Sequence, residues 1–209
     1  MTLKIGILVS GRGTNLEAII ESYKNNELGE VEISVVISNK LNTSAIEKAK
    51  EHNIDTLIIE QKKNNNSELY DEILYKSLVN KGVTKENGLV VLAGFMKILS
   101  PWFIEQFKNR IINIHPSILP SFTGLKAQKQ AIECGVKVSG CTVHFVTADL
   151  DSGPIILQES VKIKESDTIE TLSKKILVEE HKIYSKAIML FAKKKLRIKG
   201  KKVMIIDNN

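Results

Sequence analysis

The order of apolar and polar positions in the first half of the chain predicts strands that alternate with helices. Leu3–Ser10 is an apolar run that ends at a glycine, a pattern typical of a strand buried on both faces of a parallel sheet. Helical spacing of apolar residues follows from Asn15 onward. Such an order of elements predicts right-handed βαβ units. The alternation continues with strands at Val31–Ile37, Thr56–Ile59 and Leu89–Ala93, helices at Ala45–His52 and from Glu68 to about Lys81, and a polar loop at Gln61–Ser67.

The second half of the chain continues this pattern with longer elements. Ser100-Pro101 begins a helix, with a hydroxyl N-cap and proline at the first helical position. Further predicted elements are strands at Ile111–His115, Val136–Val146 and Ile155–Val161, helices at Ala127–Glu133 and Thr168–Lys194, the latter with a break, and a hairpin over Leu196–Ile206 that turns at Lys199-Gly200.

The predicted fold is a single α/β domain at residues 1–195. Its sheet is expected to be mostly parallel, doubly wound and Rossmann-like, with helices on both faces. A tail or hairpin at residues 196–209 is expected to pack on the same domain. In such sheets the site lies beyond the carboxyl ends of the strands.

Composition narrows the classes of partner. The chain has 209 residues and a formal net charge of +6, and this length is sufficient to bury a full core. The basic excess is nearly all lysine, and a solvated basic surface is favoured over a nucleic-acid partner. Such a charge still favours binding of a small anion, for example a phosphate ester.

Targeting signals and membrane segments are not predicted. The N-terminal segment is too short for a signal h-region and lacks a small-residue cleavage site. No stretch reaches the roughly 18 apolar residues of a membrane span. Cys134 and Cys141 have no spacing typical of a zinc site or a disulfide framework. We therefore expect a cytoplasmic protein with no membrane partner.

An amide and an imidazole share one face of the strand at Ile111–His115. Because side chains alternate along a strand, Asn113 and His115 point into the same space. Pro116 and Pro120 stiffen the chain that follows. A histidine at a strand end can also be satisfied by the backbone alone, so the pair is a candidate for chemistry that needs further residues.

A glycine-containing turn joins the first strand to the first helix. Ser10–Asn15 would direct backbone N–H groups and a helix N-terminus at a ligand, which favours an anion such as phosphate. The turn is not a dinucleotide fingerprint, because Leu16 stands where the third glycine would be, and it is not a Walker loop. A plain strand-to-helix turn explains the segment equally well.

Two loops could complete a site. Asp149–Pro154 is either an Asx turn or a loop from which Asp151 reaches His115 and favours its charged form. Asn113, His115 and Asp151 include no nucleophile. They therefore suit a reaction in which a substrate supplies the nucleophile, while the protein stabilises an oxyanion and moves a proton. Gly94–Leu99 is either core or the lining of an apolar slot for a flat heterocycle.

Taken together, these motifs resemble the phosphoribosylglycinamide formyltransferases, within the superfamily that uses formyltetrahydrofolate. The resemblance covers residues 3 to about 195 and implies formyl transfer from 10-formyltetrahydrofolate to the amine of glycinamide ribonucleotide in purine synthesis. It implies small-molecule substrates, a monomer or weak homodimer, and no metal, since the formyl group is already activated on the folate. The segments that carry it, in the family's order, are Ser10–Asn15, Leu92–Met96, Ile114–Pro120, Ser139–Val146 and Leu150–Pro154.

The resemblance also implies a role for each site residue. Asn113 and protonated His115 would stabilise the tetrahedral oxyanion, and Asp151 would keep His115 charged and oriented. A proton would pass from the amine to the departing folate nitrogen through water. The substrate-binding residues would be Gly13, Thr14 and Asn15 for the phosphate of glycinamide ribonucleotide, Glu180 for its ribose, and Met96, Lys97, Ile98, Leu99, Thr147, Ala148, Asp149 and Leu150 for the pterin.

Several positions depart from the family pattern. Lys97 stands where arginine is common, and Ser67 lies near the place where an arginine often meets the folate. Leu177 occupies a position that is often polar, and Ser121–Lys126 replaces the usual Pro-Gly-Leu-His loop. These departures concern the surroundings of the site and leave its three central residues intact.

Three alternatives remain open. The acceptor could be an amino sugar nucleotide, for which a base-stacking aromatic near the phosphate turn is expected, and Tyr23 is the aromatic close in sequence. Water could be the acceptor, as in formyltetrahydrofolate hydrolases, which carry an added N-terminal domain. A non-catalytic nucleotide-binding module would need none of Asn113, His115 and Asp151.

Overall fold

The computed structural model describes residues 2–60 and 67–206, so the predicted loop at Gln61–Ser67 lies outside the described residues except for Ser67. Nine strands and six helices occur among these residues, with bounds within one or two positions of the predicted ones. The strands are β1 (Leu3–Val9), β2 (Val31–Ser38), β3 (Thr56–Ile58), β4 (Gly88–Leu92), β5 (Ile111–His115), β6 (Val138–Phe145), β7 (Ile155–Lys162), β8 (Leu196–Lys199) and β9 (Lys202–Ile205). The helices are α1 (Thr14–Lys24), α2 (Ser44–Glu51), α3 (Ser67–Asn80), α4 (Pro101–Gln106), α5 (Ala127–Glu133) and α6 (Ile169–Ala192).

The strand order in the sheet is β3-β2-β1-β4-β5-β6-β7-β9-β8. Parallel pairing joins β1 to β2, β1 to β4, β2 to β3 and β7 to β9. Antiparallel pairing joins β6 to β7 and β8 to β9. The helices supply the crossovers that parallel neighbours require. The predicted α/β fold with a mostly parallel, doubly wound sheet is confirmed.

The chain forms two compact units, Met1–Ile112 and Asn113–Asn209. In the first unit, β4 is buried along its whole length, and β1 is buried at every position except Lys4. Burial on both faces explains why these strands have apolar runs instead of alternating patterns. Helix α3 packs closely on β1, because a Cβ added to Gly6 would lie 2.3 Å from a methyl group of Leu78.

In the second unit, α6 packs on β6 and β7. The prediction of a break in this helix is wrong, since Ile169–Ala192 is one continuous helix. It contains no glycine or proline, and Thr168 and Thr171 form a reciprocal capping box at its start. Its buried apolar positions keep helical spacing throughout: Leu172, Ile176, Ile183, Tyr184, Ala187, Ile188 and Leu190.

The strands β8 and β9 form a C-terminal hairpin. Lys199 pairs with Lys202, so the turn consists of Gly200 and Lys201, one residue later than predicted. Gly200 has a φ of 60°, a left-handed conformation that glycine adopts without a Cβ clash. Among the described residues, no helix combines the length and the apolar character needed to cross a membrane.

Candidate active site

The candidate site is a cluster of four side chains in the second unit: Asn113, His115, His144 and Asp151. Asn113 and His115 lie at the end of β5, His144 lies near the end of β6, and Asp151 lies in the loop between β6 and β7. His115 Nδ1 lies 3.4 Å from Asp151 Oδ2, and the Asn113 amide nitrogen lies 3.3 Å from His144 Nε2. The structure thus brings together the three side chains that the sequence singles out, together with a fourth.

His144 is held in one neutral tautomer. Its Nδ1 lies 2.9 Å from the carbonyl oxygen of Phe145, which can only accept, so Nδ1 carries the proton. Burial lowers the pKa of His144 below its ordinary value, because the interior disfavours the imidazolium form. Nε2 therefore presents a lone pair, and the amide nitrogen of Asn113 donates to it. This bond fixes the orientation of the Asn113 amide.

His115 is buried between two oxygen acceptors. Its Nε2 donates to the carbonyl oxygen of Phe122 at 2.8 Å, and its Nδ1 faces Asp151. Only the doubly protonated ring has a donor for each acceptor. Asp151 Oδ2 also accepts from the backbone nitrogen of Gly124 at 2.7 Å. The other carboxylate oxygen lies 3.8 Å from His144 Nε2, which carries no proton, so Asp151 pairs with His115 and not with His144.

The segment after β5 is anchored by side chains of β6 and β7. Thr142 Oγ1 donates to the carbonyl oxygen of Ser117 at 2.7 Å and accepts from the backbone nitrogen of Leu119 at 3.1 Å. The Gln158 amide nitrogen donates to the carbonyl oxygen of Leu119 at 2.9 Å. These bonds fix the path of the chain that leads to the carbonyl oxygen bound by His115.

Three contributors to this cluster were not predicted from the sequence: His144 and the backbone groups of Phe122 and Gly124. The signal for His144 lies in β6, where it is buried and two positions after the buried Thr142, so two polar side chains face the same way in a strand with a buried surface. Backbone donors and acceptors leave no comparable signal. The loop Ser121–Lys126 is notable in the sequence only for its departure from the family pattern.

The turn Ser10–Asn15 joins β1 to α1 in the first unit. Gly13 is the N-cap of α1 with a φ of 72°, and a Cβ at this position would lie 2.7 Å from the Cβ of Ala45. Both constraints require glycine. No side chain among the described residues caps this helix by a hydrogen bond, and the N-terminus of a helix is a place that favours anions.

The loop Gly94–Leu99 in the first unit divides into inward and outward side chains. Leu99 is buried, whereas Met96 and Ile98 are 66% and 74% exposed. Lys97 turns its ammonium group inward, where Nζ lies 3.1 Å from Asp71 Oδ1. The loop is therefore core at one position and an exposed apolar surface at two others.

The remaining predicted site residues lie in the second unit. Thr147 Oγ1 and Ser152 Oγ both donate to the carbonyl oxygen of Asp149, at 3.3 and 3.0 Å, and Leu150 is exposed beside them. Glu180 is buried on α6. In the part of the chain that the structure describes, no group of three or more histidine, cysteine, aspartate or glutamate side chains is placed to hold a metal ion.

The sequence similarity between this chain and known proteins extends over nearly the whole length of this chain. The family model described as Formyl transferase matches residues 3–188. The trifunctional purine biosynthetic protein adenosine-3 of Chironomus tentans is 42% identical over 199 residues, which are 95% of this chain and 14% of that relative. The phosphoribosylglycinamide formyltransferase of Escherichia coli strain K12 is 37% identical over 196 residues, which are 94% of this chain and 90% of that relative.

A solved structure shares the fold. The crystal structure of glycinamide ribonucleotide transformylase 1 from Symbiobacterium toebii has a TM-score of 0.94 and 45% sequence identity, and the match covers 99% of this chain and 95% of that chain. The chain spans 14% of the trifunctional relative's length but nearly the whole of the bacterial proteins. This chain belongs to the formyl transferase family.

Proposed function

We propose that this protein transfers the formyl group of 10-formyltetrahydrofolate to the amine of glycinamide ribonucleotide, a step of purine synthesis. Family membership supports the reaction class, and the names of the bacterial relatives support the acceptor. The observation that carries the proposal is the cluster of Asn113, His115, His144 and Asp151, which has donors and a carboxylate but no nucleophile. Such a cluster suits direct attack by a substrate amine.

The proposed reaction proceeds through a tetrahedral intermediate. The amine nitrogen attacks the formyl carbon, and an oxyanion forms on the formyl oxygen. Asn113 and His115 donate N–H groups to this oxygen as its charge develops, while Asp151 keeps His115 protonated and oriented. The bond between the formyl carbon and the folate nitrogen then breaks. The amine loses one proton and the folate nitrogen gains one, with water as the carrier.

The hydrogen bond from His115 to Phe122 gives this mechanism a specific feature. In the structure, the Nε2–H of His115 is donated to the neutral Phe122 carbonyl. The formyl oxygen of the bound folate competes for the same donor. Because an oxyanion is a stronger acceptor than a neutral carbonyl, the exchange is more favourable in the transition state than in the ground state, as catalysis requires.

Substrate binding is assigned to the residues that the family resemblance indicates. We assign the phosphate of glycinamide ribonucleotide to the backbone N–H groups of Gly13, Thr14 and Asn15, and its ribose to Glu180. At Lys97 the folate assignment concerns the backbone, since its ammonium group binds Asp71. The full set assigned to the folate is Met96, Lys97, Ile98, Leu99, Thr147, Ala148, Asp149 and Leu150.

The wider organisation belongs to the same proposal. Residues 1–195 act as one formyltransferase domain, and the hairpin of β8 and β9 packs on the same domain. The protein works in the cytoplasm as a monomer or weak homodimer on small-molecule substrates. It needs no nucleic-acid partner, no membrane partner and no metal, because the formyl group is already activated on the folate.

Folate absorbance tests the proposed function. Purified protein is mixed with a stable formyl-deazafolate, with and without glycinamide ribonucleotide, and Asp151→Asn serves as the matched inactive control. Deformylation that requires the ribonucleotide supports the proposal. Deformylation without any added acceptor would identify a hydrolase. Deformylation that requires an amino sugar nucleotide, and does not occur with glycinamide ribonucleotide, would identify the amino sugar nucleotide as the acceptor. Binding of the ribonucleotide without any deformylation would indicate a non-catalytic module.

A further inference from the structure

Asp71 on α3 is a buried carboxylate that the proposed reaction does not use. Its side chain is 0% exposed, and Oδ1 lies 3.1 Å from Lys97 Nζ. Oδ2 accepts from the backbone nitrogen of Ser100 at 2.7 Å. Because burial of a carboxylate is costly unless it is paired and hydrogen-bonded, these two bonds are strongly favoured. Asp71 thereby binds both ends of the segment from Lys97 to Ser100.

The ammonium group of Lys97 is occupied within the first unit. Besides Asp71, it donates to Ser67 Oγ at 3.3 Å and to the carbonyl oxygen of Ile98 at 3.2 Å. It also lies 4.7 Å from the ring centroid of Tyr70, within the range of a cation–π interaction. With these partners and a side chain that is 4% exposed, Lys97 is placed to hold the loop to α3.

The loop held in this way presents two apolar side chains to solvent. Met96 and Ile98 are 66% and 74% exposed, and the backbone nitrogen of Met96 donates to Ser10 Oγ at 2.8 Å. Bonds at residues 96, 97 and 100 therefore fix a surface that gains no burial in the free protein. A flexible loop would lose conformational entropy on binding a ligand, and one already fixed avoids that loss.

We propose that Asp71 is a positioning residue for folate binding, which holds residues 96–100 in the conformation that receives the co-substrate. The inference rests on the proposed function, because it takes Met96 and Ile98 as part of the folate site. Contacts between a fixed loop and the unreacting part of a substrate are made equally in the ground and transition states. Their loss raises KM and leaves kcat unchanged.

Asp71→Asn is the first test, because it preserves the side-chain shape and removes the charge. The KM for the folate should rise about tenfold or more, the order expected for loss of a hydrogen bond to a charged group. The kcat and the KM for the ribonucleotide should each change by less than about twofold. Glu72→Gln is the matched control, since Glu72 is the next residue on α3 and pairs with Lys76 at an exposed position.

Amide hydrogen exchange supplies a second readout that does not depend on turnover. The backbone N–H of Ser100 donates a hydrogen bond to Asp71 Oδ2. Its hydrogen should exchange faster in Asp71→Asn than in wild type and in Glu72→Gln. An unchanged folate KM despite faster Ser100 exchange would overturn the inference. So would a fall in kcat together with a rise in both KM values, because that pattern indicates general damage to the site.

If Asp71→Asn does not fold, the double variant Asp71→Asn/Lys97→Met tests the inference instead. This double variant removes both charges and so leaves no unpaired buried cation, and the same rise in folate KM is expected. If wild type transfers no formyl group, the proposed function fails, and equilibrium binding of the formyl-deazafolate replaces KM. Equal affinity of wild type and variant would then overturn the inference, as would absence of folate binding to wild type.

Discussion

At the residue scale, two buried histidines of the same cluster face different sets of hydrogen-bonding groups. His144 faces a carbonyl oxygen and the amide nitrogen of Asn113, so the ring with one proton satisfies both partners. His115 faces a carbonyl oxygen and the carboxylate of Asp151, so an acceptor lies beside each of its ring nitrogens. In the proposed mechanism, the fixed amide of Asn113 and the imidazole of His115 are two donors of different kinds for one oxyanion.

Loss of the Asn113 amide or of the Asp151 charge should abolish most of the turnover. In the proposed mechanism, Asn113→Ala removes one oxyanion donor, and Asp151→Asn removes the charge beside His115. Each substitution is expected to lower kcat by about 100-fold to 1,000-fold with little change in the urea midpoint of unfolding. Asp55→Asn is the control, since this carboxylate pairs with Lys81 at the surface. Near-normal turnover in either site variant would contradict the assigned roles.

The pKa of His144 predicts a pH dependence of stability. Burial lowers this pKa in the folded state, whereas the unfolded chain has the ordinary value of about 6.5. Below that pH the unfolded state binds the proton first. The free energy of unfolding should therefore fall as the pH decreases from about 6.5 toward the lower folded pKa, and the contribution of neutral His144 is complete above this window.

Urea unfolding of wild type and His144→Gln measures this effect. Wild type should lose more unfolding free energy than His144→Gln between about pH 7 and about pH 5. His52→Gln is the control, because His52 lies at the surface beside Lys24, and it should lose as much as wild type. Equal losses of unfolding free energy in wild type and His144→Gln would mean that His144 has the same pKa in the folded and unfolded states.

The contacts of the candidate site between residues far apart in the sequence could not be predicted. Asn113 and His115 were predictable as a pair because strand alternation places them on one face, and the loop of Asp151 followed from its glycine and proline. The contacts of Phe122 and Gly124 involve backbone groups, which every residue carries. The inward turn of Lys97 depends on Asp71, 26 positions earlier, and no local pattern contains that pairing.

At the element scale, the strands and helices were predictable because each has its own periodicity and end signals. Ser100 caps α4 by accepting from the backbone nitrogen of Phe103 at 3.2 Å, with proline next, as the sequence indicates. The prediction of a break in α6 was wrong, because Ile169–Ala192 is one continuous helix. Ile169–Ala192 has no helix-breaking residue, and its apolar stripe stays on one side over its whole length.

The start of α6 should make stability sensitive to acid. Asp167 accepts from the backbone nitrogen of Lys164 at 2.7 Å and from Thr171 Oγ1 at 2.9 Å, and it pairs with Lys175. The hydrogen bond from Lys175, with that from Lys164, lowers the pKa of Asp167 from 3.8 to about 2. The ionised carboxylate therefore stabilises the folded state above about pH 4, and this contribution is lost as the pH falls toward 2.

Urea unfolding of Asp167→Asn, at neutral pH and between about pH 4 and about pH 2, tests the contribution of the Asp167 charge to stability. The variant should be less stable than wild type at neutral pH, and the difference should shrink between about pH 4 and about pH 2. Glu165→Gln removes an exposed acid two positions earlier and should follow the wild-type curve. A constant difference between Asp167→Asn and wild type across the acid range would refute the role of the Asp167 charge.

At the scale of the whole molecule, the positive charge is concentrated at one end of the strand order. Residues 193–202 contain seven lysine and arginine residues and no acid, whereas the whole chain has a net charge of +6. Strand β8 is the last in the order, and β9 is its neighbour. An edge strand presents unpaired backbone groups that can pair with another chain, and charged side chains on the edge oppose such pairing. The charged hairpin thus supports the proposed monomer or weak homodimer.

Replacing Arg197 and Lys199 with valine should make the protein self-associate. The two exposed residues lie two apart on β8, so the double variant loses charge and gains an apolar edge of high strand propensity. Sedimentation velocity over a range of concentrations should show larger species for this variant than for wild type. Lys174→Leu/Lys186→Leu on exposed positions of α6 removes the same charge and adds apolar surface without an open edge. Equal association of both double variants would assign the effect to surface hydrophobicity, whereas association of the β8 variant alone would show that these charges protect the sheet edge.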